Sequence, residues 1–200
     1  MAGARPKYWV FDMDGTLISF PVEWDKVRSD LQELTGTSLK FAPFFLDVQT
    51  VVAEDPLLLG PIMRTIDRYE ARAVPQAKLE EGARAVLSSL SRNAKLSLVT
   101  MQGRAACEAI LDSLGIARFF ASTFAREDSM DRPAQLKMAL ESLKAKKAQS
   151  VFVGDRINDL NAARAAGVRF VMIRKGPDSP AADALYRSVK QFAASPWVRG

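Results

Sequence analysis

The run Phe11-Asp12-Met13-Asp14-Gly15-Thr16-Leu17 sets two carboxylates at i and i+2 after an apolar stretch and follows them with a glycine. At the end of a strand this spacing faces one carboxylate toward a ligand. The other comes round from the tight turn that glycine permits. One member of such a pair can act as a nucleophile and the other as a general acid–base. The same residues also suit an Asx turn, and Asp-x-Asp-Gly can open a calcium loop. Glu23 is the twelfth residue counted from Asp12, but a loop reaching it would have to contain Phe20 and Pro21, so the calcium pattern fails.

Two more polar clusters follow apolar runs. In Val99-Thr100-Met101-Gln102-Gly103 a hydroxyl at a strand tip precedes backbone amides and a helix start, which together make an anion site. Thr100 also suits a plain helix cap. In Gly154-Asp155-Arg156-Ile157-Asn158-Asp159 the second acid follows the first by one helical turn, near the same face. Paired carboxylates of this kind suit Mg²⁺, which binds through a few oxygens and keeps several waters. They also suit an N-cap followed by an acidic first turn. The chain has no histidine. That excludes a histidine base, a phosphohistidine and histidine-ligated zinc, and it leaves acid–base and metal chemistry to carboxylates.

The elements that must carry these residues are short. Apolar, β-branched runs at 7–12, 95–100, 119–124, 150–154 and 169–173 read as strands. Helical spacing separates them at 83–90, 105–114, 133–143 and 160–166, with Pro133 opening one helix and Gly115 and Gly167 closing two others. Alternation of this kind predicts an α/β fold, a three-layer Rossmann-like core around a parallel sheet that binds its ligand at the carboxyl ends of the strands. Residues 18–81 break the alternation. Trp24, Val27, Leu31 and Leu34, and then Ile62, Ile66 and Tyr69, fall at helical spacings. A structureless loop of that length does not fit a compact domain, so a small helical insertion is expected there. The expected division is therefore a core of 1–17 and 82–200 with an inserted domain of 18–81. Trp24 and Tyr69 are expected to pack within the insertion.

Composition narrows the class. With 200 residues, 48% hydrophobic and 26% charged, the chain can bury a sizeable core. Its apolar runs are too short to cross a membrane. The first residues lack a basic-then-apolar signal pattern, and one cysteine, Cys107, cannot form an internal disulfide, so cytoplasmic residence is the expectation. A net charge of +5 raises nucleic acid as a partner. The basic residues are scattered, however, and the compact group Lys144, Lys146 and Lys147 lies where cations favour a helix end. A small anionic substrate fits such a surface better.

Order and spacing together resemble the haloacid dehalogenase superfamily, specifically its phosphatases with a helical cap inserted after the first motif. Residues 11–17 resemble the first motif, 97–100 the second and 153–159 the fourth, and 159–168 resemble the helix that follows. The resemblance implies that Asp12 attacks phosphorus, forming an aspartyl-phosphate, and that Asp14 serves as general acid and then base. It further implies that Thr100 and Met101 bind the phosphoryl group. The metal, Mg²⁺, would be held by Asp12, the backbone carbonyl of Asp14, Asp155 and Asp159. The family usually places a lysine at its third motif. Here Arg132, in Met130-Asp131-Arg132-Pro133, takes that position as the phosphate-binding cation, with Lys137 as the alternative. Met101, Gln102 and Arg156 also depart from the family's usual residues, which bears on contacts to the substrate. Implied substrates are phosphoglycolate, a sugar phosphate or a nucleotide monophosphate. A catalytically inactive binding module and a phosphotransferase or mutase are the competing readings.

Overall fold

A computed structural model describes residues 5–174 and 182–199. The expected strands form as β1 (Tyr8–Asp12), β4 (Lys95–Val99), β5 (Ser122–Phe124), β6 (Ser150–Gly154) and β7 (Arg169–Ile173). Two further short strands, β2 (Ile18–Ser19) and β3 (Lys78–Leu79), pair antiparallel with each other. An additional edge strand, β8 (Ala184–Tyr186), lies beside β7. The helices are α1 (Trp24–Thr35), α2 (Phe44–Glu54), α3 (Leu59–Ala73), α4 (Ala83–Leu90), α5 (Arg104–Ser113), α6 (Arg132–Ser142), α7 (Ile157–Ala166), α8 (Val189–Ala193) and α9 (Pro196–Arg199).

Six strands form one sheet in the order β5-β4-β1-β6-β7-β8, and every neighbouring pair is parallel. The chain builds outward from β1 through β4 to β5, then crosses to the other side of β1 for β6, β7 and β8. Its direction of winding therefore reverses between β1 and β6, and a crevice opens at such a reversal. Both faces of the sheet are covered, which explains why β1 and β6 are nearly continuous apolar runs without polar alternation. On one face Val10, Phe152, Phe170 and Met172 pack against Leu136 and Ala139 of α6 and Leu160 and Ala163 of α7. On the other, Trp9 stacks on Phe11 and meets the rings of Phe192 and Trp197, each 6.1 Å away, from α8 and α9. This is the three-layer α/β arrangement expected.

Two differences have a common cause. The run at 119–124 extends only over Ser122–Phe124, preceded by a 3₁₀ turn at Ala117–Phe119, and β8 was not anticipated. Both are three-residue, half-buried edge strands, too short to carry a period.

The described residues divide into two compact units, one running to Phe20 and resuming at Ala77, the other Pro21–Gln76. The second unit is helical. Val27 and Leu31 of α1 and Ile62, Ile66 and Tyr69 of α3 are buried. Leu34, placed on the same stripe by its spacing, is 41% exposed instead, one turn beyond the buried contacts. The ring of Trp24 packs edge-on to Phe44 at 5.1 Å, and the Tyr69 hydroxyl donates to Asp30 at 2.9 Å. Both aromatics thus have partners within their own unit.

Phe152 is fully buried, with its ring 5.7 Å from that of Phe170. Phe152→Ala should lower unfolding free energy by about 3–5 kcal/mol through lost burial and a cavity, whereas Leu57→Ala, at an exposed position, should stay within about 0.5 kcal/mol of wild type. Chemical denaturation of the two variants checks the contrast.

Candidate active site

The sheet delivers the functional residues by letting strands end together. Asp12 is the last residue of β1 and pairs in register with Val99, the last of β4, so Thr100 follows one step beyond the strand end. Phe11 pairs with Val153, which brings Gly154 and then Asp155 to the same edge on β6. Asp159 lies in the first turn of α7, and Arg132 is the first residue of α6. One carboxylate oxygen from each of Asp12, Asp155 and Asp159 lies within 4.8 Å of the other two.

Two glycines make this crowding possible. Gly15 has φ +78°, and a Cβ there would stand 2.6 Å from Oδ2 of Asp155. A Cβ on Gly154 would stand 2.6 Å from Oδ2 of Asp159. Any side chain at either position would have to displace an acid of the cluster.

Arg132 binds two of the three acids. Its Nη2 donates to Oδ1 of Asp12 at 2.8 Å, and its Nε lies 3.0 Å from Oδ1 of Asp159. The guanidinium is 11% exposed, Asp12 and Asp159 less still. Lys137, the alternative cation, is 76% exposed and lies 3.9 Å from Glu141 further along α6. Asp14 is not one of the three converging acids, and its carboxylate accepts the backbone N–H of Phe20 at 3.1 Å. Asp159 also accepts the N–H of Arg156 at 3.2 Å, so it caps α7 as well as pairing with Arg132.

Burial drives the electrostatics. It raises the carboxyl of Asp12 well above the usual range, Arg132 opposes the rise, and the charges of Asp159, Asp155 and Asp14 add to it. Burial likewise raises Asp159, again opposed by Arg132. Asp14 is raised by burial against the Phe20 N–H and Arg156. Asp155 is pushed up to about 6 by burial, against Arg156, with Asp159 and Asp14 reinforcing the rise. Its Oδ1 is buried and has no hydrogen-bond partner. Three converging carboxylates, one with an unpartnered oxygen, fit a hard divalent cation such as Mg²⁺. Asp12, Asp155 and Asp159 are the side chains that could hold it.

Thr100 is buried, and its hydroxyl pairs with the side-chain oxygen of Gln102 and accepts the Gln102 N–H at 3.2 Å. The Met101 carbonyl accepts from Nη1 of Arg126 at 3.2 Å. Sequence reasoning did not single out Thr16, whose hydroxyl reaches Oδ2 of Asp12 at 3.4 Å, nor the fully buried Gln135, which accepts from Nη1 of Arg132 at 3.1 Å. The i, i+3 spacing of Arg132 and Gln135 at a helix start was the available signal for the latter.

Residues 19–173 match the haloacid dehalogenase-like hydrolase family, which is more than half of the chain, and the protein belongs to that family of enzymes. Asp12 and Asp14 precede the matched stretch, so their placement rests on the geometry above. Among similar proteins is a phosphoglycolate phosphatase of Rhodospirillum rubrum, 28% identical over 86% of this chain and 80% of its own. An N-acetylmuramic acid 6-phosphate phosphatase of Pseudomonas putida is 26% identical over 76% of this chain and 84% of its own. The fold matches a haloacid dehalogenase-like hydrolase of Streptococcus pneumoniae with a TM-score of 0.71 and 17% identity, covering 95% of this chain and 98% of that one. Among the described residues no helix is long and apolar enough to cross a membrane.

The raised Asp155 gives a signed expectation for the metal-free protein. The folded state holds this proton up to about pH 6, whereas the unfolded chain releases it near 4, so the group's contribution to stability falls as pH rises through that window. In EDTA, Asp155→Asn should therefore raise the melting temperature at pH 7.5 and change it little at pH 4. Added Mg²⁺ should raise the melting temperature of the wild type at pH 7.5 and leave that of the variant unchanged. Thermal melts at the two pH values, with and without Mg²⁺, measure both effects.

Proposed function

We propose that this enzyme is a Mg²⁺-dependent phosphomonoesterase acting on a small phosphorylated metabolite. The observation that carries the reading is the convergence of Asp12, Asp155 and Asp159 around one point, with Arg132 bridging Asp12 and Asp159. An anionic nucleophile can approach an anionic phosphate only where cations offset the repulsion. Bound Mg²⁺ would supply that offset and polarise the phosphoryl oxygens.

In this reading the Asp12 carboxylate attacks phosphorus as the bond to the leaving oxygen breaks, giving an aspartyl-phosphate. Arg132 steadies charge on the transferring group, a role that guanidinium geometry suits. Thr100 and the backbone at Met101 bind the phosphoryl oxygens. Asp14 gives its proton to the leaving alkoxide, then takes one from the water that attacks the intermediate and frees phosphate and Asp12. Burial that raises Asp14 supports the first of these roles, because a carboxyl must hold its proton to donate it. Residues 18–81 are proposed as the cap domain of this family arrangement. The relative named phosphoglycolate phosphatase supports a small phosphorylated acid as the first substrate to try.

Turnover of p-nitrophenyl phosphate and of a panel of phosphorylated metabolites, with Mg²⁺ and with EDTA, tests the proposal. Activity should require the metal. Asp12→Asn should cut kcat on the order of 10⁴-fold. Arg132→Ala should cost about 10²–10³-fold, as loss of a positioned transition-state donor does. Lys137→Ala should leave turnover unchanged. Metal-independent turnover, or full activity in Asp12→Asn, would overturn the reading.

A further inference from the structure

We infer that Gln135 is a positioning residue, which fixes the plane in which the Arg132 guanidinium bridges Asp12 and Asp159. This rests on the reading of Arg132 as the phosphate-site cation.

Gln135 is fully buried on the first turn of α6. Its Nε2 lies 2.8 Å from the carbonyl of Thr100, 3.0 Å from that of Ala125 and 2.9 Å from that of Ser129. Those three carbonyls accept only, so they require the NH₂ end of the amide. The oxygen is then left facing Arg132, where it accepts from Nη1 at 3.1 Å. The orientation of the amide is thus set by chemistry on both sides.

The consequence concerns Arg132. Three separate donors of one rigid fork are engaged: Nη2 by Asp12, Nε by Asp159 and Nη1 by Gln135. Without Gln135 the two acids alone would hold the fork, and Nη1 would be buried without an acceptor. Gln135 supplies that acceptor and anchors it to the backbone at the tips of β4 and β5. Glutamate at this position could not donate to the carbonyls, and lysine or arginine could not accept from Arg132. Methionine could do neither. A lysine at 132 would present a point charge with no fork to orient, so the acceptor end of this amide has a positioning role only because the cation here is an arginine.

A double-mutant cycle on the full-length enzyme tests the idea, using p-nitrophenyl phosphate turnover, competitive inhibition by inorganic phosphate, and melting temperature. In the Arg132 background, Gln135→Met should lower kcat by at least ~10-fold and weaken phosphate inhibition, because misaligning a charge-bearing donor is felt in the transition state. In the Arg132→Lys background the same change should lower kcat by less than ~3-fold, since the fork it orients is gone. Melting temperature should fall in both backgrounds through the unpaired carbonyls, and further with Arg132, whose Nη1 then also lacks its acceptor. Equal loss of kcat in the two backgrounds would overturn the inference and leave Gln135 a purely structural residue. Full activity in Arg132→Ala would instead bring down the reading of Arg132 and the inference with it. Should Gln135→Met fail to fold, Gln135→Asn takes its place in the cycle with the same outcomes. Asparagine keeps an amide but withdraws it by one methylene.

Discussion

Like charges crowded into a poorly solvated place repel strongly, and that repulsion is the constraint around which this protein is organised. Asp12, Asp155 and Asp159 bring carboxylates within touching distance of one another where water is largely excluded, and Asp14 stands close by. Arg132 is the cation buried among them. Arg156, though near in sequence, is 68% exposed and lies 3.9 Å from Asp155. One guanidinium against three acids leaves an excess of negative charge, and burial, which raises each of these carboxyls, makes that excess costly. Such a cluster fits a divalent cation. Removing either partner of a buried pair leaves an uncompensated charge, which is why so much surrounding structure is spent holding Arg132 still.

The architecture answers a question of distance. Residues 12, 100, 132, 155 and 159 are separated by as many as 147 positions, yet parallel strands that end at one edge bring them together without long loops. Reversal of the winding between β1 and β6 keeps that edge open. What the sheet cannot supply is the last ångström. Gly15 and Gly154 supply it by omission, each leaving the space into which an acid leans.

Much of this was legible in the residues themselves. The strands that carry the site are dense apolar runs ending in polar clusters, and their pattern is unambiguous because both faces are buried. Asp12, Asp155 and Asp159 could be named because their spacing from strand ends is a local property. The role of Arg132 could be named but not separated from that of Lys137, because both lie near the start of one helix and only packing distinguishes the buried side chain from the exposed one. Gln135 and Thr16 went unmarked for a different reason. Gln135 matters through what it touches across the fold, and a glutamine at i+3 from an arginine is common on any helix, whereas Thr16 reaches Asp12 only four residues away and reads as an ordinary turn residue. Leu34 shows the converse, an apolar residue in register with a buried stripe that nevertheless faces solvent at the end of its helix.

The short ribbon formed by β2 and β3 carries an implication for how this chain could change over evolutionary time. Ile18 pairs with Leu79 and Ser19 with Lys78, and the Glu80 N–H donates to the Leu17 carbonyl at 2.9 Å. The backbone departs from the sheet and returns to it through one stitched doorway. Whatever is spliced between those stitches meets the same two anchors, and extra length costs only the slowly growing entropy of a longer closed loop. Descendants could therefore trade the intervening helices wholesale, acquiring new appetites while the sheet edge that carries the acids stays as it is.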